Sequence, residues 1–122
     1  MKSWRTALLV LLPLTVGALA ADDGWYKTFS GTYWIYGGSL GDSGPPTAED
    51  KKIGFSLDGK AAREIFDAIG PDVHDPCTEG SGTRVRHKDD GNLSCSRSAE
   101  GEYLCNFGFD LRSGKSIGAI IC

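Results

Sequence analysis

Apolar and polar residues alternate through the last forty residues of this chain. Residues 83–88, 92–98, 102–111 and 115–121 each place apolar side chains at every second position, the period of a strand with one buried face. Between them stand Asp89-Asp90-Gly91, Ala99-Glu100-Gly101 and Arg112-Ser113-Gly114, three polar triplets that end in glycine. A three-residue loop with glycine in third position fits a type I turn closed by a G1 bulge. The pattern predicts a four-stranded antiparallel meander.

Two further strands are expected upstream. Residues 32–36 are aromatic and β-branched, and residues 51–57 alternate with Ile53, Phe55 and Leu57 on one side. Residues 37–50, rich in glycine and proline, form a loop between them, so the two runs read as a hairpin. A helix should follow. Asp58 is a suitable N-cap, and Ala62, Ile65, Phe66 and Ile69 recur at helical spacing as one apolar stripe. Gly70 is expected to end it in a left-handed conformation, and Pro71 forbids continuation. The fold class is α+β: one helix packed on a four-stranded antiparallel meander, with an N-terminal β-hairpin, stabilised by disulfides.

If all three loops have the same form, the register can be written down. Lys88 faces Asn92, Ser98 faces Glu102, and Leu111 faces Lys115. One face then collects Val85, His87, Leu93, Cys95, Tyr103, Cys105, Phe107, Phe109, Leu111, Ile117, Ala119 and Ile121. The other carries Arg84, Arg86, Lys88, Ser94, Ser96, Asn106, Gly108, Asp110, Ser116 and Gly118. A one-residue slip would exchange these faces. The register sets Gly108 opposite Gly118, bare backbone over which Trp34 or Tyr36 is expected to pack, the sharper alternative being a partner or ligand docked on that face.

The cysteines add a constraint. Cys77, Cys95, Cys105 and Cys122 are even in number, which in a small exported domain argues for two disulfides. The register sets Cys95 against Cys105, a close pairing suited to a disulfide, and leaves Cys77 for Cys122. The rival connectivity joins Cys77 to Cys95 and Cys105 to Cys122. Spacings of 17, 9 and 16 residues contain no close pair of the kind zinc sites use. Loop-closure entropy assigns about 4 kcal/mol to a Cys77–Cys122 bond and about 3 kcal/mol to Cys95–Cys105.

The first twenty residues read as a signal peptide: Lys2 and Arg5, a short apolar run, then Ala18-Leu19-Ala20 before a mature start at Ala21. The domain organisation is residues 1–20 as signal and 21–122 as one small domain. Eleven basic and sixteen acidic side chains remain after cleavage, a net charge of −5. So acidic a chain is a poor general nucleic-acid binder, and no second apolar run is present to insert in a membrane. The expected location is periplasmic or secreted.

Chemistry is sparse. Gly41-Asp42-Ser43-Gly44-Pro45 is similar to the nucleophile segment of trypsin-like proteases, but the only histidines, His74 and His87, lie downstream of it. Ser113-Gly114-Lys115-Ser116 lacks the earlier glycine of a phosphate-binding loop, since Phe109 stands there. Asp72, His74 and Asp75 offer metal-ligand types in a polar connector, where a solvated loop is the plainer reading. His87 is expected on the inner face as a hydrogen-bonded core histidine. Asn92-Leu93-Ser94 is a glycosylation sequon, relevant only to a eukaryotic source. No catalytic set, metal or cofactor is expected.

The segments Ile35-Tyr36-Gly37-Gly38-Ser39-Leu40-Gly41-Asp42, Gly59-Lys60-Ala61-Ala62 with Phe66-Asp67-Ala68-Ile69-Gly70-Pro71-Asp72, and Tyr103-x-Cys105-x-Phe107-Gly108-Phe109-Asp110 resemble a group of small exported bacterial proteins of unassigned function. The resemblance covers most of the mature chain and implies a periplasmic or secreted location. It implies no activity, and the defining motifs of lysozyme-inhibitor families are not matched.

The functional expectation is a non-catalytic protein-binding domain, an inhibitor or immunity protein acting on a partner in the cell envelope. Its candidate binding residues are Ser39, Asp42 and Ser43 in the long loop, Trp34 and Tyr36 in the aromatic run, and Arg84, Arg86 and Lys88 on an edge strand. The rival is a binder of small molecules or envelope polymers such as glycan or peptidoglycan; a small hydrolase comes third.

Overall fold

The computed structural model describes residues 10–13 and 24–122. The expected signal segment and its cleavage site lie outside the described residues, apart from 10–13. The elements are β1 (Ser30–Ser39), β2 (Asp42–Gly44), β3 (Lys52–Asp58), α1 (Gly59–Ala68), β4 (Arg84–Lys88), β5 (Leu93–Arg97), β6 (Tyr103–Asp110) and β7 (Ser116–Ile117). A single 3-10 turn, Pro76–Thr78, interrupts the connector after the helix.

All seven strands belong to one antiparallel sheet, ordered β2-β1-β3-β6-β5-β4, with β7 also on β6. The α+β class and the single helix agree with the sequence pattern, and the sheet is larger than a four-stranded meander. The N-terminal hairpin joins that meander edge to edge, because β3 pairs with β6 from Lys52↔Asp110 to Asp58↔Leu104. The meander itself is shorter than expected at its end, where β7 covers only Gly108 and Phe109 of β6.

The helix stripe behaves as its spacing requires. Ala62 and Phe66 are buried with Leu57, Cys95 and Cys105, while Ile65, Ile69, Tyr103 and Phe107 pack around them. Both helix ends differ from expectation. Asp58 stands at the N-cap, but its carboxylate makes no capping bond, and the left-handed step is taken by Gly59 at φ +61°. The helix closes at Ile69 (φ −105°, ψ 16°) without a left-handed Gly70. Gly70 has a different reason to be glycine: a Cβ there would sit 3.1 Å from the Arg86 guanidinium.

Only the middle hairpin has the expected turn. Gly101 (φ +87°) donates its N–H to the Ser98 carbonyl at 2.9 Å, and Ser98 donates to Glu102 at 2.8 Å. Cys95 therefore lies directly opposite Cys105, with Cα atoms 4.0 Å apart, and the two are disulfide-bonded. Cys77 is bonded to Cys122. Both bonds are consistent with folding in an oxidising compartment. No helix among the described residues is long and apolar enough to cross a membrane.

The outer two hairpins are each displaced by one residue. Asp89 and Asp90 both take positive φ, 56° and 53°, and Lys88 pairs with Leu93. Aspartate tolerates the left-handed region, and a turn with two such residues matches the twist of a hairpin better than type I does. At the other end the Asp110 carboxylate accepts the N–H of Arg112 (2.8 Å) and Ser113 (3.3 Å). This draws Asp110 into a wider turn, where Gly114 donates to the Asp110 carbonyl at 2.8 Å and Gly108 pairs with Ile117.

Each slip turns a strand over. Arg84 and Arg86 lie on the helix-covered face, since Arg86 is opposite Cys95 and Arg84 opposite Arg97. Val85 and His87 lie on the other face, against Ser96 and Ser94. His87 is exposed, not a core histidine. Ile117 likewise leaves the face of Phe109, and Gly118 no longer opposes Gly108. Bare backbone is still present in mid-sheet, at Gly54↔Gly108, and Trp34 does pack on it. A Cβ at Gly54 would sit 2.7 Å from the Trp34 ring.

Candidate functional site

The residues singled out by sequence do not meet at one place. Ser39, Asp42 and Ser43 come together at the β1–β2 turn, where the Ser39 hydroxyl accepts the Asp42 N–H at 3.2 Å. Arg84, Arg86 and Lys88 belong to β4, at the far end of the strand order. No single ligand of modest size spans the two.

The long loop is tied at its base. Lys52 donates to the Asp50 carboxylate and, at 2.8 Å, to the Gly38 carbonyl. The Gly38 N–H returns to Asp50 at 2.8 Å. The bond from Lys52 holds the Asp50 carboxyl below its ordinary value, and Asp50 raises the Lys52 ammonium in turn. Tyr36 is buried nearby, which pushes its phenol up. Trp34 stacks on Tyr36 with ring centroids 6.0 Å apart. These two aromatics are therefore occupied by internal packing.

The arginines of β4 are occupied too. Asp72 accepts from Arg84 Nε at 2.7 Å and from Arg86 Nε at 2.7 Å. Arg86 Nη1 also donates to the Phe66 carbonyl at 2.9 Å, and its guanidinium lies 4.2 Å from the centre of the Phe66 ring. One side chain thus closes the helix end and covers the core aromatic. Hydrogen bonds from Arg84 and then Arg86 hold the Asp72 carboxyl down to about 2. Lys88, at the end of β4, is exposed.

The histidines and carboxylates of the connector diverge. Asp72 is engaged by the arginines, His74 Nε2 approaches Glu79 at 3.6 Å, and Asp75 accepts the Cys77 N–H at 3.0 Å. Asp75, Cys77 and Cys122 lie close together, but both sulfurs are spent in the disulfide and offer no thiolate to a metal.

Two concavities bear on the candidate residues. One of about 850 Å³ lies between the start of α1 and the β5–β6 turn and is lined by Lys60, Arg63, Glu102 and Tyr103 among others. Its walls mix both signs of charge and point to no ligand class. The other, about 400 Å³, lies under the connector and the C-terminal tail, beside Val85, His87, Asn106 and Ile120.

The surface that stands out is flat. β6 extends eight residues, roughly 26 Å, whereas the ten-residue helix is only about 15 Å long. The helix covers the Cys95–Cys105 end of its face and leaves the other end bare. There Phe55 stacks on Phe107 at 5.0 Å, and Phe109 meets both edge-on at 6.5 and 6.2 Å. Tyr33 joins Phe55 at 6.4 Å. Tyr33 is 67% exposed, Ile35 45%, Phe109 38% and the adjoining Leu111 46%. The face is continuous because Tyr33, Phe55 and Phe107 stand side by side across three strands. These exposed side chains form one contiguous apolar patch.

Sequence reasoning placed Phe107 and Phe109 on the core face but missed that the face is half bare. The signal was present in the length of the helix stripe set against the length of the strands. No family model matches the chain, and no curated protein or solved structure matches it.

Proposed function

We propose that this chain is an exported, non-catalytic protein-binding domain that docks a partner protein of the cell envelope on its open aromatic half-face, in the manner of an inhibitor or immunity protein. One observation carries the reading: Tyr33, Ile35, Phe109 and Leu111 are exposed together on a sheet held by two disulfides. A rigid apolar face loses little conformational entropy on binding. Aromatic side chains are also the residues that dominate protein interfaces.

The β1–β2 turn, with Ser39, Asp42 and Ser43 exposed at its tip, extends from β1 at the side where the half-face is bare. It supplies polar rim contacts in this reading. Arg84 and Arg86 are removed from the binding set, because Asp72 and Phe66 engage them. The polymer-binding alternative is weakened by Trp34 and Tyr36, which would have to leave their packing on Gly54 and each other to stack on a sugar.

The test uses the exported protein as bait in periplasmic extract, then measures the captured protein, once purified, by calorimetry. The double variant Phe109→Ser, Leu111→Ser is expected to weaken that binding at least about tenfold, a loss of 1.4 kcal/mol or more. Unchanged affinity would remove the half-face from the reading. Saturable quenching of tryptophan fluorescence by peptidoglycan fragments, without any protein partner, would transfer the function to the polymer binder.

A further inference from the structure

We propose that the free edge of β1 joins two copies of this chain as an antiparallel pair centred on Tyr33. This reaches beyond partner docking, and it is read on the protein alone.

Residues 30–36 pair with β3 on one side. On their other side no strand among the described residues pairs with them, and β2 begins only opposite Gly37. An unpaired edge is a template for another strand, and proteins normally blunt it with charge, proline or cover. The opposite edge of this sheet is blunted in that way. β4 carries Arg84, Arg86 and Lys88, and Val73 bridges to Val85 along it. The β1 edge reads Ser-Gly-Thr-Tyr-Trp-Ile-Tyr over residues 30–36, with no charge and no proline.

The side chains fit a second copy of the same strand. Pairing about Tyr33 sets Ile35 against Gly31 of the second copy, Trp34 against Thr32, and Tyr36 against Ser30. Trp34, Ile35 and Tyr36 each meet a small residue, and Tyr33 meets itself at the two-fold axis. Such a pair is isologous, so one patch satisfies both copies and the assembly closes at two. The axis runs perpendicular to the sheet, which brings both aromatic half-faces to the same side.

Charge points to the same place. The mature chain carries a net charge of −5, so two copies repel over most of their surfaces. Along residues 30–36 no like charges oppose each other. The open stretch spans roughly 24 Å, a contact at the small end of stable interfaces. The dimer should therefore form at high micromolar concentration and dissociate on dilution.

Sedimentation of the exported protein with both disulfides intact tests this. The wild type is expected to sediment as a dimer that dissociates on dilution. Tyr33→Lys and Tyr33→Glu should each be monomeric, because each sets like charges face to face at the axis. An equimolar mixture of the two should recover the dimer. Amide exchange in residues 30–36 of the wild type should slow as concentration rises, a readout that does not depend on either variant folding. A wild type that stays monomeric throughout, exchange in residues 30–36 that ignores concentration, or a dimer that survives both substitutions would overturn the proposal. Pairing with a strand of another protein alone would appear as the first of these outcomes.

Discussion

The two edges of the sheet solve the same physical problem in opposite ways. At the β4 edge the arginines and the strand backbone have partners, while His87 and Lys88 are exposed. Arg84 and Arg86 share Asp72, Arg86 covers Phe66, Val73 bridges Val85, and the Cys77–Cys122 bond fastens the connector alongside. At the β1 edge the backbone of residues 30–36 is unpaired on its outer side among the described residues, and Tyr33 and Ile35 are left to solvent. One edge is finished within the fold. The other leaves strand backbone and apolar side chains open to solvent.

The difference should show first in stability. Phe66 is buried on the β4 side, so Phe66→Ala is expected to cost about 3–5 kcal/mol. Phe109→Ala, on the bare half-face, should cost less, since 38% of the residue is already exposed. Denaturant midpoints of the two variants measure the contrast, and equal losses would mean that the half-face is structural core.

A smaller effect is expected where the β1 side packs on itself. Gly54→Ala forces a methyl into the space of the Trp34 indole, an overpacking of about 1–3 kcal/mol. Tryptophan emission should change together with the denaturant midpoint. An unchanged midpoint would mean that the indole swings aside freely and that the β1 side is loosely built.

The smallest effect belongs to the finished edge and depends on pH. Asp72 has an ordinary value of 3.8 and is held down to about 2 by Arg84 and Arg86. A depressed carboxylate stabilises the fold fully above its unfolded value and loses that contribution as pH falls through the folded one. Wild-type stability should therefore decline between about pH 4 and pH 2. Asp72→Asn should remove that part of the decline, lowering stability near neutrality while leaving it little changed near pH 2. Urea midpoints across this range check the sign, and parallel profiles for the two proteins would mean that the arginines do not depend on Asp72.

How far the structure could be read from the sequence depended on whether local rules were decisive. The helix stripe Ala62, Ile65, Phe66 and Ile69 was legible because only one period fits it. The Cys95–Cys105 pairing was legible because one turn, Ala99-Glu100-Gly101, kept its expected form. The flanking turns were not, although they look alike in sequence. Asp89 and Asp90 admitted a left-handed turn, and the Asp110 carboxylate captured two backbone amides. Each substitution of turn type moved the register by one residue and turned a strand over. Of the basic row offered to a partner, Arg86 became an internal cover for Phe66, with Arg84 beside it on Asp72 and Lys88 still exposed.

By itself the sequence determined the element types, the apolar stripe of the helix and a disulfide pairing that its middle turn supports. Those depend on periodicity and residue chemistry, which act over a few neighbours. Only the tertiary structure decided which face of β4 is inward, that the N-terminal hairpin completes the sheet through β3 and β6, and that a helix of ten residues leaves half of an aromatic face in water. Those depend on register and on relative lengths of elements far apart in the chain, and a single residue in one turn is enough to change them.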